Sequence, residues 1–157
     1  MKLTDLHARL LGAWQGHKRL WMEGEGGPVR ASASRLVVTR VACGAYLSFA
    51  YSWAFDGAPQ EGVLIVGNDN DAQTASAAWG DSFHMNAKLM TCAGRVDAPG
   101  TVTLEGSYEA PPGPDWGWRI ALELPAADAL RIVMHNVEPG GSAHLAVQAD
   151  FTRVPGV

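Results

Sequence analysis

Five histidines, two cysteines and a scatter of carboxylates are the residues of this chain with obvious chemistry to offer. Three of the histidines, His84, His135 and His144, fall in the second half, but no two stand at metal-ligand spacing. Strand alternation sets His135 and His144 opposite the apolar faces, so all three are expected at the surface and no metal site is expected. Asp81, Ser82 and His84 contain the residue types of a hydrolytic triad. Within four positions of one extended segment they cannot converge, because neighbouring side chains point to opposite faces. Neither a Gly-x-Ser-x-Gly elbow nor a phosphate loop is present. Asn68-Asp69-Asn70-Asp71 opens like a calcium loop but lacks the glycine and the closing glutamate that complete one, and reads as a turn. Cys43 and Cys92 sit in apolar, strand-like surroundings and read as two reduced, buried thiols. No constellation assembles a catalytic group, so binding is expected ahead of catalysis, with no cofactor required.

Aromatic side chains are the other resource, and their spacing is regular. From Ala45 to Phe55 the residues Leu47, Phe49, Tyr51, Trp53 and Phe55 share one face of a period-two pattern, while the intervening positions are mostly small. Such a stripe must face a core or a ligand. The same alternation recurs over Thr74 to Phe83, Leu89 to Val96, Thr101 to Glu109, Trp118 to Leu124, Leu130 to Asn136 and His144 to Val154, with a shorter run from Val63 to Val66. Asp56-Gly57-Ala58-Pro59, Asp97-Ala98-Pro99-Gly100, Pro125-Ala126-Ala127-Asp128 and Pro139-Gly140-Gly141 punctuate these runs as turns. Pro111 to Gly117 reads as a rigid surface loop, with Asp115 and Trp116 packed in it rather than forming a lid.

About ten strands in sequential hairpins, with no helix long enough for a crossover, predict an all-β, up-and-down antiparallel barrel formed by residues 1–157 as one domain. A short helix capped by Thr4, with Leu3, Leu6 and Leu10 at helical spacing, is expected to plug one end. The first and last strands of a closed barrel must pair, since an open edge leaves a row of unsatisfied backbone groups. Trp14 and Arg153 are therefore expected to meet, the guanidinium lying on the indole.

A barrel of that strand number encloses more room than its side chains fill. Parity assigns Phe49, Tyr51, Trp53, Trp79, Tyr108, Trp118, Met134 and Asn136 to its lining, which would suit a small hydrophobic or aromatic ligand. A filled structural or interaction barrel, dimeric through an outer sheet face, is the competing expectation. Twelve Lys and Arg against sixteen Asp and Glu give a formal charge of -4, so the basic surface needed for nucleic acid is not evident. The start Met1 to His7 lacks the apolar core of a signal peptide and no stretch approaches a membrane span, which predicts a cytoplasmic protein.

Gly12-x-Trp14 with the late Arg153 resembles the signature of calycin-type barrels such as lipocalins and fatty-acid-binding proteins. Trp79-Gly80-Asp81-Ser82-Phe83-His84, Gly106-Ser107-Tyr108, Gly113 to Arg119 and Met134-His135-Asn136 resemble, in order and content, an uncharacterised bacterial family, domain of unknown function 1579. That resemblance runs from about Leu10 to Arg153. It implies a calycin-like barrel and brings no established activity with it. A nitrobindin-like relative would bind haem through a histidine near its C-terminal strand, and His144 is the analogue by position.

Overall fold

The computed structural model describes residues 8–69, 71–97 and 100–156. Thr4, Leu3 and Leu6, on which the helix expectation rests, lie outside them, as do Asn70, Ala98 and Pro99. Residues 8–10 are helical. Ten strands follow: β1 (Gly12–Trp21), β2 (Val29–Val41), β3 (Tyr46–Phe55), β4 (Ala58–Asp69), β5 (Thr74–Asp81), β6 (Met90–Asp97), β7 (Thr101–Tyr108), β8 (Trp116–Ala126), β9 (Ala129–Val137) and β10 (Ala143–Arg153). Each pairs antiparallel with the next and β1 pairs with β10, so the sheet is a closed, all-antiparallel barrel. Closure removes both edges of the sheet.

Alternation decides what the barrel contains. Leu47, Phe49 and Trp53 of β3, Leu64 and Val66 of β4, Trp79 of β5, Ile120 and Leu122 of β8, and Val147 and Phe151 of β10 are all buried. These β-branched, aromatic and leucine side chains fit a pleated surface with one face covered.

One end is stoppered. Leu10 is buried, and its carbonyl accepts a hydrogen bond from the Trp14 indole Nε1 at 2.9 Å. Across the β1–β10 seam Trp14 pairs with Arg153, whose guanidinium carbon stands 4.1 Å from the Trp14 ring centroid. The same guanidinium donates from Nη1 to the Leu11 carbonyl at 2.6 Å, from Nη2 to the Arg9 carbonyl, and from Nε to Asp128 Oδ1 at 3.2 Å. One side chain thus ties the N-terminal turn, the β8–β9 turn and the last strand together.

Several local expectations are corrected. β4 begins at Ala58, so the β3–β4 turn is only Asp56-Gly57, with φ of 47° and 83°. Two successive positive φ values are what a two-residue hairpin loop matching strand twist requires. Pro59 pairs with Ala54 where β5 no longer runs alongside, so its missing N–H costs no ladder bond. Trp116 and Gly117 belong to β8, opposite Tyr108 and Ser107, which leaves only 109–115 as loop. A bulge between Leu145 and Val147 moves Leu145 off the inner face and buries Ala146 instead. Cys43 is exposed in the turn 42–45 at φ 57°, whereas Cys92 is a buried thiol whose pKa burial pushes up to about 11.

The seam gives a direct test. Trp14→Ala should cost about 3–5 kcal/mol of unfolding free energy, as for other fully buried aromatics. Arg153→Ala should cost less, and the double variant should fall short of the sum by about 0.5 kcal/mol or more, measured by denaturant unfolding. Additive losses would show that the two side chains are not energetically coupled.

Candidate functional site

The end opposite the stopper is the mouth, ringed by the connections 22–28, 56–57, 82–89, 109–115 and 138–142. A cavity of about 630 Å³ opens there, within the range of small-molecule pockets. Leu20, Trp79, Met90, Tyr108, Trp118, Asn136 and Ala146 line it from the strands, and Phe83, His84, Met85 and Lys88 from the segment after β5. Trp79 and Trp118 stack with centroids 5.3 Å apart and planes within 10°. On the wall, Tyr108 Oη donates to Asn136 Oδ1 at 2.6 Å.

Just inside the barrel from this cavity lies a buried polar cluster organised by Asp81, the last residue of β5. Its Oδ2 accepts from Tyr51 Oη at 2.7 Å and Trp53 Nε1 at 3.2 Å. Its Oδ1 accepts from the backbone N–H groups of Phe83 and His84 at 2.9 and 3.2 Å. Four donors hold the carboxylate, and two of them fix the turn that carries Phe83 and His84 over the mouth. Trp79 Nε1 donates to Tyr51 Oη at 2.9 Å, extending the network to the stacked pair. Burial first, and then the Asp81 charge, push the Tyr51 phenol well above its usual pKa, so it remains a donor. Gly62, opposite Tyr51 on β4, makes room for this ring: a Cβ there would fall 2.1 Å from Tyr51 Cζ.

Lys18 of β1 enters the same cluster. It is 3% exposed, and its Nζ stands 3.3 Å from the Trp53 ring centroid and 5.9 Å from that of Tyr51. Burial lowers its pKa to about 7, against the opposing pull of Asp81. His84 packs among aromatic rings, 5.8 Å from Trp53, 5.8 Å from Trp79 and 5.7 Å from Trp118 between centroids. Burial, and next the Lys18 charge, lower its pKa to about 4, so at neutral pH it is an uncharged imidazole. His84 Nε2 and Trp118 Nε1 are buried with no hydrogen-bond partner. Unpaired polar atoms at a cavity wall call for an explanation, and an occupant of the cavity is one.

Of the residues assigned by parity to the lining, Trp79, Tyr108, Trp118 and Asn136 stand at the cavity. Phe49, Trp53 and Met134 are buried in the packed core, and Tyr51 belongs to the polar cluster. His84 is not a surface residue: it follows the end of β5, where alternation no longer applies and Asp81 holds its N–H. His135 is half-buried on the outer side, while His144 is exposed with Nε2 3.6 Å from Glu138 Oε1, so neither lines the cavity. The positional analogue of a haem-binding histidine is therefore an exposed residue that does not line the cavity. Lys18 was missed, although it shares parity with Trp14 and Leu20. Among the described residues no group of three His, Cys, Asp or Glu side chains could hold a metal ion, and no helix is long and apolar enough to cross a membrane.

A family model described as protein of unknown function (DUF1579) matches residues 5–153. No curated protein sequence matches the chain. Among solved structures, the chain is similar to Rv2717c from M. tuberculosis, with TM-score 0.70 and 15% identity over 97% of this chain and 96% of that one. It is also similar to the S-type phycobiliprotein lyase CPES from Guillardia theta, with TM-score 0.67 and 11% identity over 100% and 95% of the two chains. At these identities the likeness is one of fold.

The cluster has a stability signature. A lysine neutral in the fold but protonated in the unfolded chain opposes folding below its unfolded pKa near 10.5, and the penalty is full below about pH 7. Lys18→Met should therefore stabilise the protein by roughly 1–4 kcal/mol at pH 6–7. The gain should shrink as the pH rises toward 10, followed by denaturant unfolding across that range. A variant less stable than the parent at pH 6 would mean that the amine is held by more than its contact with Trp53.

Proposed function

The chain belongs to the DUF1579 family of proteins of unknown function, and on that premise we propose that its barrel binds a small, flat, predominantly apolar molecule at the mouth. The observation that carries this reading is the cavity of about 630 Å³ whose wall includes the parallel Trp79–Trp118 pair. Parallel indoles present a broad π surface, and a ring laid against it gains stacking as well as burial. The methionines Met22, Met85 and Met90 around that surface are polarizable and adapt to an irregular outline. Orientation would come from Asn136, whose amide N–H groups are left over by the Tyr108 bond, and from the unpaired Trp118 Nε1. Binding rather than turnover is the reading because Asp81 and Tyr51 are engaged by hydrogen bonds in holding the cluster. That a barrel of this fold bears the name of a phycobiliprotein lyase is compatible with a site in such a barrel, but fold alone does not assign function.

Titration with N-phenyl-1-naphthylamine, followed by its own emission and by tryptophan quenching, tests the proposal. One-site saturation is expected. Ala146→Phe, which places a ring in the cavity, should weaken binding about tenfold or more, equivalent to ~1.4 kcal/mol. Val37→Ala, on the exposed outer face, should leave binding unchanged. A linear, unsaturable response, or equal affinity in Ala146→Phe, would favour a barrel that is simply filled.

A further inference from the structure

We propose that the molecule taken at the mouth is a flat aromatic cation, its ring against Trp79 and Trp118 and its positive charge toward the rim. This rests on the cavity being a binding site, and it adds the charge of what the site takes.

The connections around the mouth carry Glu23, Glu25, Glu109, Asp115 and Glu138, with Lys88 as the one lysine or arginine among them. Asp56, their remaining carboxylate, is ion-paired with Arg30 at 3.2 Å. Glu23, Glu25, Glu109 and Asp115 are exposed, and Glu109 lines the cavity itself. The turns at the other end of the barrel carry only Asp71 and Asp128, and Asp128 is paired with Arg153. Negative charge is thus gathered around the opening. A single exposed carboxylate does little through water. Several of one sign around a low-dielectric opening focus their field into it, which concentrates cations there and repels anions.

The wall suits the same charge. Trp14, Trp21 and Trp53 each have a cation of the chain over the ring, from Arg153, Arg19 and Lys18 in turn. Among the described residues no such cation stands over Trp79 or Trp118, the stacked pair that lines the cavity. An indole face attracts a cation more strongly than any other side-chain ring does, and more so away from water. Fixed positive charge does not compete for those faces. Lys18 is not a lining residue, His84 is an uncharged imidazole at neutral pH, and Lys88 is exposed to solvent. Trp118 itself is 5% exposed and its Nε1 has no partner, so the inner wall offers a donor while the rim offers carboxylates. A molecule with its cation outward and an acceptor atom inward meets both.

Three probes of nearly one shape separate charge from burial: 2-methylisoquinolinium, its neutral isostere 2-methylnaphthalene, and the anion 2-naphthoate, each titrated into the intact protein by calorimetry. The cation should bind one site at least as tightly as its isostere and about tenfold or more tighter than naphthoate. Raising the salt from about 50 to 500 mM should weaken the cation about threefold or more without weakening the isostere. Combining Glu23→Gln, Glu25→Gln and Glu109→Gln should weaken the cation about fivefold and spare the isostere, whereas Asp71→Asn, the same kind of charge change at the far end, should alter neither. Ala146→Phe should weaken both. Naphthoate bound as tightly as the cation, a cation weaker than its isostere, no loss in the triple variant, an equal loss in Asp71→Asn, or a cation untouched by Ala146→Phe would each overturn this inference. The binding reading would survive any of these provided that 2-methylnaphthalene binds and Ala146→Phe weakens it. If none of the three probes binds, both fall.

Discussion

Closure of the sheet is the constraint on which everything else in this molecule depends. Ten antiparallel strands joined only by short connections leave no edge, and the ring they form is wider than its own side chains fill. The surplus space has to be dealt with at each end. At the end near the chain termini it is taken up by Leu10, the Trp14 indole and the Arg153 guanidinium, whose donors satisfy carbonyls that the N-terminal turn would otherwise bury unpaired. With that end stoppered and the middle packed, the remaining volume collects at the mouth.

Asp81 decides the shape of that volume. It sits where β5 ends, and a strand end leaves backbone N–H groups without a ladder partner. By accepting from Phe83 and His84 on one oxygen and from Tyr51 and Trp53 on the other, it joins the outgoing turn to β3. The turn is thereby set over the barrel, and with it the aromatic edge of Phe83 and the uncharged imidazole of His84. Gly62 is part of the same arrangement, because only a residue without a Cβ leaves space for the Tyr51 ring. Packing and polarity are thus solved together at one carboxylate.

How much of this was legible follows from where alternation holds. Period two correctly carried the inward faces of β3, β5, β7, β8 and β9, and it carried the pairing of Trp14 with Arg153, because strand interiors obey it. It lapsed at strand ends and irregularities. His84 lies three residues past Asp81, in a turn whose direction is set by side-chain acceptance rather than by pleat. Leu145 lies on a bulge, Cys43 at a positive φ in a turn, and Trp116 pairs with Tyr108 despite the prolines before it. The division of the lining between cavity and packed core was not legible at all, since Phe49 and Trp118 share the same parity and differ only in height along the barrel.

Lys18 is a different case, because the pattern that buried Trp14 and Leu20 applies to it equally. A charge-bearing residue at an inward position is easily read as a surface exception, yet its neighbours are Gly16 and Leu20 on one face of an unbroken strand. Nothing in the packing asks for an amine there: Asp81 has its donors, and the facing group is the ring of Trp53. Burying an ammonium against an indole recovers only about 0.5–2 kcal/mol, less than the cost of removing it from water. The protein meets that imbalance by letting the amine shed its proton near neutral pH. What remains is an amine that gives up its proton far more readily than an ordinary lysine and an uncharged imidazole, both among aromatic rings beneath the mouth. The one carboxylate of this interior, Asp81, has its oxygens engaged by four donors, so an apolar molecule at the mouth meets aromatic rings rather than an unpaired charge.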